Sequence, residues 1–316
     1  MTTEESVDAS FVGLDNGEFA TIRVLPDQRE RDGCRRGAPR DASALSPRNP
    51  AERFGLKGCM NLGIDKRRAV VTGASRGLGR AIAAALAAEG ADVVGVARNI
   101  ERLAELSASL APDRGSFTAR AGDLADPAAI EGLGDVLGEA DILVLNTGGP
   151  PPGPITDVTD ATWIKQFESM FLSIVRLTRL ALPGMRKRKF GRIIIVVSSG
   201  VQQPIANLGI SNALRMTVVG WAKTLAAEVA ADGVTVNCLA PGRIATDRVA
   251  ELDAGAAGRR GVSVAEIEQQ ARAAIPIGRY GDPAEFAAMA AFLAGDGAAY
   301  MTGSVIRVDG GMIRGA

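Results

Sequence analysis

The sequence predicts an α/β fold, a doubly wound parallel sheet of seven strands with helices on both faces. Three observations predict it. From residue 60 onward, short β-branched runs alternate with longer segments of helical period. Apolar residues make up 47% of the chain but aromatics only 4%, so Ala, Val, Leu and Ile must build the core, as in parallel strands buried on both faces. A glycine-rich turn, VVTGASRGLG, joins the first β-branched run to the first helical one.

The elements follow in order. The run AVVT (69–72) is the first candidate strand. In GLGRAIAAALAAEG, Leu78, Ile82 and Leu86 share one helical face, and Gly90 stands where a helix stop belongs. Further strands are expected at DVVGV (92–96), SFTAR (116–120), DILVL (141–145), RIIIVV (192–197), VTVNC (234–238) and SVIRV (304–308). Two long, mostly apolar helices are expected over 160–183 and 211–231. Crossovers between such strands are right-handed. The basic run MRKRKFGR (185–192) puts cations where a helix ends and complements its dipole; a nucleic-acid surface is the less favoured reading.

Residues 1–59 differ. RERDGCRRGAPRDASALSPRNP has the composition of a disordered segment, and Met60 precedes the glycine turn by about a dozen residues. The expectation is a folded domain over 60–316, with 1–59 a disordered extension or a mis-assigned start. The acidic opening MTTEESVDASF has no apolar stretch of a secretory signal.

Composition excludes several functions. Lys plus Arg and Asp plus Glu balance at 36 each, so no global charge favours nucleic acid or membrane. No apolar run reaches the roughly 18 residues of a membrane span. The chain has no histidine, which removes Ser-His-Asp and Cys-His catalysis and every imidazole metal site. No metal is expected. Cys34, Cys59 and Cys238 form neither a CxxC motif nor an even framework, which suits a reducing, cytoplasmic setting.

The glycine turn carries the chemistry. Gly73 allows the tight turn, Gly77 lets backbone approach a pyrophosphate, and Gly79 lets the helix pack closely. Ser75, Arg76 and Leu78 lie in the same turn, and the helix N-terminus supplies N–H donors. An acid at the end of the second strand would favour NAD; Arg98 stands there instead. With Arg76 it suits a 2′-phosphate, so NADP(H) is favoured over NAD(H). The alternative is two solvated surface arginines. Asp123 follows the third strand, and Asn146, Gly148 and Gly149 the fourth, at strand ends where ligands sit in open α/β sheets.

These motifs resemble the short-chain dehydrogenase/reductase family from about Asn61 to the C-terminus. T-G-x-x-x-G-x-G is matched by Thr72 to Gly79, N-N-A-G by Asn146-Thr147-Gly148-Gly149, and P-G-x-x-x-T by Pro241, Gly242 and Thr246. IPIGRYGDPAEFA and GSVIRVDGG are similar to the family's C-terminal third. The chain is most similar to the 3-oxoacyl-carrier-protein-reductase-like branch. The resemblance implies a Rossmann-type NAD(P) site at Gly73, Arg76, Leu78, Arg98, Asp123, Leu124 and Asn146. It also implies an Asn, Ser, Tyr, Lys catalytic set acting on a small carbonyl or alcohol, and a homodimer or homotetramer built on the two long helices.

The catalytic set departs from that pattern. The serine position is Ser198, with Ser199 beside it, thirteen residues before the tyrosine position. That position holds Ser211, the lysine position Arg215 and the asparagine position Met170. Arginine cannot relay a proton but can stabilise an oxyanion or grip a ribose hydroxyl. Serine can position a water. The bland alternatives are a helix N-cap for Ser211 and a surface cation for Arg215. Residues 248–276, with Arg259 and Arg260, fall in the family's substrate lid. The expectation is an NADP(H)-dependent oxidoreductase that uses Ser198 and Ser199 to hold oxygen. The alternative is a nucleotide-binding protein without dehydrogenase activity.

Overall fold

The computed structural model describes residues 61–111 and 114–315. The readings for residues 1–59 lie outside them. All seven expected strands form: β1 (Arg68–Thr72), β2 (Asp92–Ala97), β3 (Phe117–Ala121), β4 (Ile142–Leu145), β5 (Gly191–Val196), β6 (Val234–Pro241) and β7 (Val305–Val308). They pair in one parallel sheet of order β3-β2-β1-β4-β5-β6-β7. The order runs outward in both directions from the β1–β4 pair. That reversal opens a crevice at the strands' carboxyl ends, where open α/β sheets bind ligands.

Burial explains the strand sequences. Every residue of β4 and β5 is buried, which is why ILVL and RIIIVV read as continuous rather than alternating runs. The edge strands β3 and β7 contain no buried residue. One face of the sheet packs against α1 (Gly77–Ala88) through Ile82 and Leu86, and against α10 (Pro283–Ala294) through Phe286 and Ala290. The opposite face packs Ile174 and Leu177 of α6 (Ser173–Arg188) and Val218 and Leu225 of α7 (Gly209–Val229). Between lie α2 (Ile100–Ser109), two single turns α3 (Pro127–Glu131) and α4 (Gly134–Gly138), and α5 (Asp160–Phe167). The segment after β6 forms α8 (Asp247–Arg260) and α9 (Val264–Ala273).

Two helices differ from expectation. The first is interrupted: α5 passes through a π-type stretch, Glu168–Leu172, before α6 resumes and runs on to Arg188. Met170, inside that stretch, is 1% exposed. The second helix, α7, begins at Gly209, two residues earlier than expected, and its N-cap is Leu208. Most of the basic run that closes α6 is paired with acids in place. Arg186 and Lys189 pair with Asp232 at 2.9 and 2.7 Å, and Arg188 pairs with Asp141 at 2.9 Å.

Candidate active site

The glycine turn is built by backbone contacts that no side chain could share. Gly73 and Gly77 adopt φ of 62° and 54°, in the left-handed region that favours glycine. A Cβ on Gly79 would stand 2.2 Å from the Gly73 carbonyl oxygen. Helix α1 therefore lies directly on the turn. Its N-cap, Arg76, makes no side-chain cap, and its first turn carries no acid. The first amides of a helix have no intrahelical partner, so an anion is the natural occupant of this end.

Asn146 braces the turn from β4. Its Nδ2 donates to the Gly73 carbonyl at 3.4 Å, while its backbone N–H donates to Thr72 Oγ1 at 2.9 Å. Thr72 Oγ1 in turn donates to the carbonyl of Asn146 at 3.2 Å. The P-G-x-x-x-T segment closes the other side. Thr246 caps α8, and its methyl lies 3.6 Å from where a Gly77 Cβ would be. A Cβ on Gly242 would stand 2.6 Å from Asp309 Cα, so Pro241 and Gly242 hold the C-terminal segment close. Gly148 has open space beside it. Asp123 folds back to accept from the Ala125 amide at 3.0 Å, with Leu124 partly buried against the sheet core. Arg98 and Arg76 are exposed, Ser75 and Leu78 partly buried, and Arg76 meets Glu251 of α8 at 3.2 Å.

The expected serine sites separate. Ser198 ends β5 half-buried, and its Oγ accepts from the Gly200 amide at 3.1 Å. That bond uses a lone pair and leaves the hydroxyl proton free to donate outward. Ser199 is 2% exposed. Asn212 fixes the loop that follows. Its amide donates to the Ile205 carbonyl at 2.9 Å and accepts from the Ile205 amide at 3.3 Å. A Cβ on Gly200 would lie 2.3 Å from Asn212 Oδ1, so only glycine fits there. Neither role carries a signal in the sequence, because both rest on contacts that only the folded loop makes.

Both bland readings at the start of α7 fail. Ser211 is not an N-cap; it lies within the first turn of α7 and is 9% exposed. Arg215 is not a surface cation; it is 5% exposed and points under the strand ends. Its Nη1 donates to the Val196 carbonyl at 2.6 Å, and its Nη2 to the Thr147 and Gly148 carbonyls at 3.2 and 3.4 Å. One guanidinium thus ties the ends of β4 and β5 to α7. Burial pushes its pKa down to about 10, so it stays charged at neutral pH. The same burial pushes the neighbouring Cys238 thiol up to about 12, against the pull of Arg215's charge.

The space beside them is apolar. Met170, Ile210 and Leu214 form a buried cluster with Val158 and Trp163 packed against it. Burying each such side chain contributes about 1.5–3 kcal/mol, and none offers the two or more polar partners that a buried water needs. Neither tyrosine reaches this place by its bonding. Tyr280 donates to Asp253 at 2.8 Å and accepts from Arg243 at 3.3 Å, and Tyr300 is fully exposed. The Tyr280 hydroxyl is held above its ordinary pKa, first by burial and then by that bond to Asp253.

Comparison with known proteins now places the chain. Residues 73–313 match the family model described as enoyl-(acyl carrier protein) reductase. The chain belongs to the short-chain dehydrogenase/reductase family. Within it, the chain sits in the 3-oxoacyl-carrier-protein-reductase-like branch. It is 38% identical to the 3-oxoacyl-[acyl-carrier-protein] reductase of Vibrio cholerae, over 79% of this chain and 99% of that one. It is 30% identical to an NADPH-dependent reductase of Bacillus subtilis, again over 79% and 99%. The L-sorbose reductase of Gluconobacter frateurii, solved with NADPH and L-sorbose, superposes with a TM-score of 0.76 at 35% identity, over 81% of this chain and all of that one. The expected fold and family both stand.

Helix α8 meets the glycine turn and the Pro150 loop through charged residues. Arg248 of α8 donates to the Pro150 carbonyl at 2.7 Å and lies 3.6 Å from Glu251. Asp253, on the next turn of α8, is 1% exposed and pairs with Arg243. Arg259 and Arg260, by contrast, fill the last turn of α8, where cations complement the helix dipole. Among the described residues no helix is long and apolar enough to cross a membrane.

Proposed function

We propose that the protein is an NADP(H)-dependent carbonyl reductase or alcohol dehydrogenase in which Ser198 holds the reacting oxygen and no side chain supplies the proton. The observation that carries this reading is the Ser198 hydroxyl, engaged as acceptor by the Gly200 amide and free as donor at the end of β5. When bound, the nicotinamide supplies or takes the hydride. The amides opening α1 would hold the pyrophosphate, and Arg76 and Arg98 the 2′-phosphate. NADPH in the names of the related proteins supports the choice of cofactor.

In the reducing direction, negative charge develops on the carbonyl oxygen. Ser198 donates a hydrogen bond to it, and the Arg215 charge, two residues upstream of Ser198 at the Val196 carbonyl, stabilises it through a low-dielectric interior. Ser211 and Arg215 stand in the places of the family tyrosine and lysine. Arg215 has spent both terminal nitrogens on carbonyls, and the Met170 cluster leaves no polar path past it. Water at the open face then protonates the alkoxide, giving the alcohol and hydroxide. Ser211 and Ser199 serve packing.

A second reading has its own support: with Tyr280 bonded to Asp253 and Tyr300 fully exposed, the protein binds the nucleotide without turning it over. Nicotinamide fluorescence and NADPH oxidation over a panel of small carbonyls decide between them. The proposal expects binding and turnover. It also expects Ser198→Ala to lose about 10²–10³ in kcat, while Ser211→Ala stays within a few fold. Binding without turnover supports the second reading, and no binding contradicts both.

The protein is also proposed to form a homodimer or homotetramer. Ile164, Phe167 and Met216 on α5 and α7 are 66%, 37% and 50% exposed beside Trp163 and Leu214, an apolar surface that suits a second copy. A monomer by light scattering at micromolar concentration would contradict this.

A further inference from the structure

Helix α8 holds a guanidinium of the glycine turn. Arg76 Nη1 lies 3.2 Å from Glu251 Oε1, the one carboxylate paired with it among the described residues. The other oxygen of Glu251 faces Arg248 at 3.6 Å, and Arg248 holds the Pro150 carbonyl across the crevice mouth. Two residues on, Asp253 is buried against Arg243 and Tyr280, which fixes the body of α8 and so the place of Glu251. The contact is therefore a bridge from an anchored helix to the cofactor turn, 175 residues away in sequence.

We infer that Glu251 competes with the cofactor's 2′-phosphate for Arg76, so that phosphorylated and unphosphorylated dinucleotides act differently on α8. This rests on reading Arg76 as a 2′-phosphate ligand. A carboxylate and a phosphate dianion beside one guanidinium repel each other. NADP(H) must displace Glu251, which then keeps only Arg248. NAD(H) carries no group at that point and leaves the bridge in place. By linkage, the bridge weakens NADP(H) binding by the same factor by which NADP(H) weakens the bridge, and it is neutral toward NAD(H). Glu251 thus sets the ratio of the two affinities and transmits cofactor identity to the helix over the crevice.

The test measures NADPH and NADH dissociation constants by nicotinamide fluorescence at low salt, for the wild type, Glu251→Gln and Arg76→Ala. Glu251→Gln is expected to tighten NADPH by roughly two- to fivefold, the scale of an exposed ion pair, and to leave NADH unchanged. In the wild type, NADPH and not NADH is expected to speed amide exchange in residues 247–256. The inference is overturned if Glu251→Gln leaves NADPH affinity unchanged, or shifts both cofactors equally, while Arg76→Ala still weakens NADPH. If Arg76→Ala leaves NADPH affinity unchanged, the phosphate assignment itself fails and the competition fails with it. Circular dichroism and the NADH constant together show that each variant is folded.

Discussion

The two sides of the crevice use different kinds of chemistry. On the β1–α1 side, the crevice is shaped by backbone: left-handed glycines, free helix amides and the Asn146 brace. On the β5–α7 side it is shaped by side chains: the Ser198 hydroxyl, the buried Arg215 guanidinium and the Met170 cluster. In the proposed function the first keeps the family pattern and the second departs from it at Ser211 and Arg215. Backbone sites are held by packing that tolerates almost no substitution. A side-chain site can exchange every functional group while its helix keeps its place, because α7 still buries Ile210, Leu214, Val218 and Ala222.

The sharpest way to break this contrast is at Gly79. Gly79→Ala drives a methyl into the Gly73 carbonyl, with no flexible end to move. Both NADPH binding and about 3 kcal/mol of stability should be lost, read by fluorescence titration and urea unfolding. Retained NADPH affinity would mean the turn is looser than its contacts imply. Next comes Asp253→Ala, which strips a buried carboxylate from Arg243 and Tyr280. It should cost about 3 kcal/mol, with NADPH affinity less affected than stability. The smallest expected effect is at Arg215. Arg215→Met removes three hydrogen bonds but also a buried charge, so stability should fall by only about 1–2 kcal/mol. NADPH oxidation should fall further than NADPH affinity, because the Thr147–Gly148 carbonyls and the charge near Ser198 go together. Equal losses would place Arg215 with the cofactor.

Much of this was legible in the sequence. All seven strands fall where β-branched runs stand, because strands buried on both faces admit little else. The end of β6 was missed, since Leu239, Ala240 and Pro241 look like a loop until Ile306, Arg307 and Val308 pair with them. The cofactor turn was legible because glycine spacing records backbone geometry directly. The fate of Arg215 was half-legible. Ser211, Arg215, Val218 and Ala222 recur at helical spacing on one buried stripe, a signal that the arginine's charge obscured. The π-type stretch at Met170 left no local trace. The Arg76–Glu251 and Asp253–Tyr280 contacts join distant segments, and only the folded chain brings them together.

In the proposed reaction the reacting oxygen is held by a side chain but protonated by none. The dependence of kcat/KM on pH tests it most directly. The chain has no histidine, Arg215 is pushed down only to about 10, and Cys238 is pushed up to about 12. For carbonyl reduction by NADPH, kcat/KM should be flat from pH 7 to pH 9. It should fall as pH passes about 10, where Arg215 loses its charge. A bend between pH 7 and 9 that disappears in Ser211→Ala would reveal a proton donor at the tyrosine position and contradict the account.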